Sequence, residues 1–156
     1  MLIYLDIDGV MVPANSWRRP EILEDGFMEF SSKAVTALNR IIADSGARII
    51  LTTSHKHKYS LNEWKSIFIN RNIIVKDILR LPENTNHYNR REEILTWFNV
   101  NKGLGDFIII DDDKSLNELP EFLKSRLIQT SASVGLTEYL ADEALNKINL
   151  LKTEFA

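Results

Sequence analysis

The sequence predicts a doubly wound α/β fold in which helices cover both faces of a mainly parallel sheet. Three observations carry this. Short apolar runs recur at Leu2, Ile3, Tyr4 and Leu5, at Ile49, Ile50 and Leu51, and at Phe107, Ile108, Ile109 and Ile110, the composition of strands buried on both faces. Segments with apolar residues at helical spacing separate them, the alternation of a parallel sheet. Each run ends in polar side chains: Asp6 and Asp8, then Thr52, Thr53 and Ser54, then Asp111, Asp112 and Asp113. In an open sheet the carboxyl ends of the strands form the rim on which ligands bind.

Bulk composition narrows the class. A chain of 156 residues is predicted to form one domain, residues 1–156, large enough to bury a core. With 44% hydrophobic and 26% charged residues it reads as a soluble globular protein. No apolar run approaches the about 18 residues of a membrane span, and no basic region precedes the N-terminal apolar stretch, so a cytoplasmic, non-membrane location is expected. The absence of cysteine excludes disulfides, thiolate metal sites and a cysteine nucleophile. At a net charge of −3, any polyanionic partner must be held by a local basic patch.

After the first strand, residues 10–30 contain Pro13, Pro20 and Gly26 and read as a loop or short hairpin, with Trp17, Arg18 and Arg19 at an aromatic and basic tip. Ser31 or Ser32 caps a helix carrying Val35, Leu38, Ile41 and Ile42 and ending at Gly46. The second strand follows and ends at Thr52. His55, Lys56, His57 and Lys58 lie in a loop. Two histidines without a third ligand nearby do not make a metal site, and Lys56 and Lys58 read as solvated charges within reach of an anionic substrate. Ser60 and Glu63 form a capping box for a helix whose Trp64, Ile67 and Phe68 are core. A third strand is expected at residues 73–75, continuing into 76–79. A polar loop leads to a helix starting near Arg90, with Ile94, Leu95, Trp97 and Phe98 on its buried face. Beyond the fourth strand come a short helix interrupted by Pro120, a strand at Leu127 to Gln129, a turn at Ser131 to Gly135, and a last helix carrying Leu136, Leu140, Leu145, Ile148 and Leu151.

The acids pose the chemical question. Two ionised carboxylates about 5 Å apart at an effective dielectric near 20 repel by roughly 3 kcal/mol. Either a hard cation such as Mg²⁺ sits between them, or one acid keeps a proton, or both. Alone, DxDG is also a common turn composition. Acid clusters at the ends of two buried strands, with hydroxyls at the end of a third, make a shared cation site the economical reading.

The order of these motifs resembles the haloacid dehalogenase (HAD) superfamily of phosphohydrolases. A response-regulator receiver domain also places acids on a doubly wound sheet, but in a different order. DIDGVMVP, ILTTSHK, RREEILTWF, IIIDDD, QT and GLT together resemble the small HAD domains of Swiss Army Knife RNA repair proteins, over residues 2–136. Those domains usually carry Trp and Arg where this chain has His55 and Lys56. The resemblance implies a HAD-like, Rossmann-like three-layer sandwich without a cap domain, since both intervals where caps occur are short. It also implies a Mg²⁺-dependent phosphatase. Asp6 would attack phosphorus to form an aspartyl phosphate, and Asp8 would serve as general acid and base. Mg²⁺ would take the Asp6 carboxylate, the Asp8 backbone carbonyl and Asp112, supported by Asp111, leaving Asp113 as a solvated turn residue. Thr52 would bind a phosphoryl oxygen, with Thr53 as the alternative. Arg90, or else Arg91, would neutralise the phosphoryl group.

An open cleft favours a phosphate on a large substrate, such as a nucleic-acid end or a phosphoprotein, with Arg18, Arg19, Lys56, Lys58 and Arg91 as a basic rim. Two other functions remain compatible with these residues: phosphoryl transfer to a second acceptor such as a small metabolite, and a cation-binding module without turnover.

Overall fold

The computed structural model describes residues 1–14 and 18–154, which leaves Trp17 of the expected aromatic tip outside the described residues. Five strands, β1 (Leu2–Leu5), β2 (Arg48–Leu51), β3 (Ile78–Arg80), β4 (Phe107–Asp111) and β5 (Leu127–Gln129), form one sheet. Its order is β3-β2-β1-β4-β5, with every pairing parallel. The helices are α1 (Ser32–Ser45), α2 (Leu61–Asn70), α3 (Arg90–Val100), α4 (Glu121–Lys124) and α5 (Glu138–Glu154), with a 3-10 turn at Lys114–Glu118. No helix among the described residues is long and apolar enough to cross a membrane.

Alternation along the strands sorts the core into two layers. Ile3, Leu5, Ile49, Leu51, Ile108 and Ile110 pack with α1, α2 and α5, while Leu2, Tyr4, Ile50 and Ile109 face α3, the 3-10 turn and α4. Period-2 side-chain placement on a sheet covered on both faces explains why these strands are apolar throughout. From β1 the chain runs outward through β2 and β3, then returns to β1's other edge as β4. The reversal makes the gap between β1 and β4 a topological switch point, where ligands of open α/β sheets bind.

Local signals account for most boundaries. Ser31 accepts from Ala34 N–H at 3.1 Å and starts α1, and Gly46 ends it in the left-handed region at φ 66°. The expected Ser60–Glu63 capping box opens α2, and Asn89 caps α3. The third strand occupies only the end of its expected stretch: it lies at Ile78–Arg80, overlapping the expected continuation at 78–79, and residues 73–75 are not part of it. Ile73 and Val75 are buried, but as packing side chains below α2 and not as members of a ladder. Apolar composition marks burial there, and burial does not require a strand.

No cap domain interrupts the described fold. Residues 20–30 instead form a hairpin-like segment with an Ile22–Met28 bridge, tied to the body by Arg71. The Arg71 guanidinium holds Asp25 through bonds of 2.6 and 2.9 Å and donates to the carbonyls of Phe27, Met28 and Ile67. Arg71 is buried and Asp25 half-buried, and hydrogen bonding from Arg71 holds the Asp25 carboxyl far below its ordinary range. Asp25→Asn is therefore expected to lower stability by about 3 kcal/mol at neutral pH in urea unfolding. The stabilisation is complete above the unfolded carboxyl's ordinary value of 3.8 and is lost as pH falls toward the depressed folded value. The difference between the two proteins should thus narrow in acid; a constant difference down to pH about 3 would contradict this assignment.

Candidate active site

The sheet ladder continues one step past the strand ends and sets the active residues at one height. Asp6 N–H donates to Ile110 O at 3.1 Å, Thr52 N–H to Leu5 O at 3.0 Å, and Thr130 N–H to Asp111 O at 3.1 Å. Beyond Asp6 the chain turns sharply: the carbonyl of buried Ile7 accepts from Val10, Met11 and Val12. Gly9 takes φ 78°, and a Cβ there would lie 2.2 Å from Asp112 Oδ2. Only glycine lets the Asp112 carboxylate approach this backbone. The loop after β5 clamps the same turn, through Thr130 Oγ1 to Gly9 O at 2.7 Å and Leu136 N–H to Val10 O at 2.8 Å.

These constraints bring Asp6, Asp111 and Asp112 together, each offering a carboxylate oxygen within 4.8 Å of the others. Arg90, the first residue of α3, is the cation among them. Its Nη1 donates to Asp111 Oδ2 at 2.6 Å and Thr52 Oγ1 at 3.1 Å and lies 3.5 Å from Asp6 Oδ1. Because Thr52 accepts from Arg90, its own O–H remains available to donate to a phosphoryl oxygen.

The cluster remains short of positive charge. Burial, then the charge of Asp111, pushes the Asp6 carboxyl up to about 9 against the pull of Arg90, and a hydrogen bond to Asp112 favours its protonated form. Burial also raises Asp111, despite Arg90. On Arg90 burial opposes the charge, but Asp111, Asp6 and Glu93 outweigh it and raise its pKa. Three convergent hard oxygen donors, whose burial and mutual charge disfavour full ionisation, fit a Mg²⁺-type ion.

Other expected site residues lie elsewhere. Lys56 is not a solvated loop charge: it is 4% exposed, and its Nζ pairs with Glu93 Oε2 at 2.7 Å. Glu93 also lies 3.7 Å from Arg90 Nε, so one carboxylate joins both cations. Lys56 does reach the cleft, a space of about 340 Å³ that it lines with Thr52, Ser54, His57, Arg90 and Asp113. Arg91 turns to the 3-10 segment, 3.9 Å from Glu118, and its Nε is an unpartnered buried donor. Thr53 is buried and accepts from His55 N–H at 3.3 Å. Asp113 is half-buried, not a solvated turn residue: its side chain caps the 3-10 turn through Ser115 N–H at 2.9 Å. The proposed basic rim is reduced accordingly, since Lys56 is paired with Glu93, Arg91 faces Glu118 and Arg18 lies 3.8 Å from Glu29.

Two contacts escaped sequence reasoning. Glu93 stands three residues after Arg90 on α3, a spacing that puts both on one helix face. His55 Nε2 lies 2.8 Å from Asp8 Oδ2, joining side chains 47 positions apart that no local pattern connects. Asp8 itself is exposed and outside the three-carboxylate cluster.

In the absence of divalent cations the raised Asp6 pKa sets a sign for stability. A carboxyl elevated in the folded state stabilises fully below its unfolded value of 3.8, and the benefit is lost as pH rises through about 9. Urea unfolding in EDTA should therefore show wild-type stability falling across this interval more steeply than that of Asp6→Asn. Parallel profiles would contradict the assignment.

In comparison with known families, residues 2–141 match the family described as the HAD domain in Swiss Army Knife RNA repair proteins. No curated protein and no solved structure matches the chain. The matched residues include every side chain of the acidic cluster, Thr52, Arg90 and the Thr130 clamp. The chain belongs to this family of HAD domains, and its five-stranded parallel sheet with helices on both faces is a HAD-type phosphohydrolase fold.

Proposed function

We propose that this protein is a Mg²⁺-dependent phosphatase that removes an exposed phosphate from a large substrate by way of an aspartyl phosphate on Asp6. The observation that carries the reading is the convergence of Asp6, Asp111, Asp112, Thr52 and Arg90 at the switch point between β1 and β4. The HAD family generally uses Mg²⁺, and Asp6, Asp111 and Asp112 would hold it, with the Asp8 backbone carbonyl. Bound there, it supplies the positive charge that lets Asp6 ionise and neutralises a phosphoryl oxygen.

The chain's own groups then divide the work. An Asp6 carboxylate oxygen forms the bond to phosphorus as the ester P–O bond breaks, and Asp8 gives its proton to the departing oxygen. Ionised Asp8 next takes a proton from water, whose oxygen attacks phosphorus and frees Asp6 with inorganic phosphate. Arg90 and the Thr52 hydroxyl hold the transferring group's oxygens, where preorganised donors act most strongly on developing charge. Lys56 supplies a second cation from the cleft wall; Thr53, which accepts from His55 N–H, and Arg91, which faces Glu118, take supporting places around the site.

A cleft without a cap admits a phosphate carried on a polymer. The family's association with RNA repair proteins favours the end of a nucleic acid over a phosphoprotein. Comparing phosphate release from 3′- and 5′-phosphorylated oligonucleotides, phosphopeptides and sugar phosphates tests this choice, and preference for a sugar phosphate would overturn it.

With an aryl phosphate and Mg²⁺, turnover is expected to fall below detection in Asp6→Asn. Arg90→Ala should lose about 100-fold or more, and Arg91→Ala no more than about fivefold. Mg²⁺ should also raise the thermal midpoint of the wild type, by an amount corresponding to about 2.7 kcal/mol at 100 times its dissociation constant, and this shift should shrink in Asp112→Asn. Turnover unaffected by EDTA or by Asp6→Asn would contradict the proposal.

A further inference from the structure

Among the described residues His55 is the side chain that hydrogen-bonds the Asp8 carboxylate, and nothing in the phosphatase scheme uses it. Asp8 needs such a contact. Its side chain is 53% exposed, and among the described residues the bond with His55 is its only side-chain hydrogen bond. An aspartate this exposed would otherwise divide its time among rotamers, few of them able to meet a leaving-group oxygen.

The imidazole is set from the core side. The edge-to-face partner of its ring is Phe27, at 5.5 Å between centroids and 80°. Phe27 is buried against Phe30, Tyr59 and Trp64. Backbone bonds fix the loop on both sides of the ring: His55 N–H donates to Thr53 Oγ1 at 3.3 Å, and Trp64 Nε1 donates to the Lys56 carbonyl at 2.9 Å. Such support distinguishes the contact from a chance meeting of surface side chains.

From this geometry we infer that His55 is a positioning residue for proton transfer, donating Nε2–H to Asp8 Oδ2 so that Oδ1 carries the proton to the leaving group. In the Nε2–H tautomer Oδ2 accepts that hydrogen at 2.8 Å, which leaves Oδ1 as the oxygen to carry the acid's own proton. His55 does not itself enter the bond changes. Its effect is on how often Asp8 presents the right oxygen. The inference rests on the acid–base role proposed for Asp8.

Leaving-group dependence tests it. The full-length wild type, His55→Ala and His55→Gln are assayed with Mg²⁺ on 4-nitrophenyl phosphate and on phenyl phosphate, reading kcat/KM, which reports steps through phosphoryl transfer to Asp6. Phenolate is the poorer leaving group and needs the proton more. His55→Ala should lose about tenfold more on phenyl phosphate than on 4-nitrophenyl phosphate. His55→Gln, whose amide N–H reaches as far as Nε2, should recover most of that difference. Should alanine cost the fold, His55→Asn, with a donor too short to reach, replaces it against glutamine. Equal losses on both esters, or no recovery with glutamine, would overturn the role of His55 while leaving the phosphatase intact. A wild type that cleaves neither ester would overturn the phosphatase reading, and this inference with it.

Discussion

The mutual repulsion of Asp6, Asp111 and Asp112 is the constraint on which the site depends. Carboxylates within 4.8 Å of one another repel by about 3 kcal/mol per ionised pair at an effective dielectric near 20, and burial removes the water that would screen them. The fold meets this in two ways. Arg90 enters from the first turn of α3, and burial with the charge of Asp111 raises the Asp6 carboxyl toward its protonated form. A divalent ion among the three carboxylates would be a third remedy, and in the proposed mechanism it would let Asp6 ionise.

Holding the acids against this repulsion requires a rigid frame. Gly9 makes room for Asp112, the Ile7 carbonyl closes the turn, and the segment after β5 grips it from the other side. The opposite wall is built differently. There the hairpin-like segment at 20–30, pinned by Arg71 and Asp25, delivers Phe27 into an aromatic cluster beneath the His55 loop. Glu93 ties Lys56 to Arg90 across the cleft wall. The acids are thus held by backbone, and the cations by a helix and a packed loop.

How much of this was legible in the sequence depended on whether a residue's role is written locally. Asp6, Thr52, Asp111 and Asp112 could be found because each directly follows or ends an apolar run, and parallel pairing puts such positions side by side. Arg90 followed from the motif resemblance and a helix start, but its separation from Arg91 required the helix rotation that points one at Asp111 and the other at Glu118. Lys56 was misread because a loop lysine is ordinarily solvated, and its burial depends on Glu93, 37 positions away. His55 and Asp8 meet only after β1 and β2 are paired. The shortened third strand has a simpler cause: apolar residues at 73–75 signal burial, while backbone pairing lies at Ile78–Arg80.

The most direct measurement is anomalous diffraction from a crystal of the full chain soaked in Mn²⁺ as a stand-in for Mg²⁺. This account expects a single strong peak bound by oxygens of Asp6 and Asp112, with Asp111 beside it or joined through water. An ion held elsewhere, or a cleft that stays empty at saturating Mn²⁺, would contradict it.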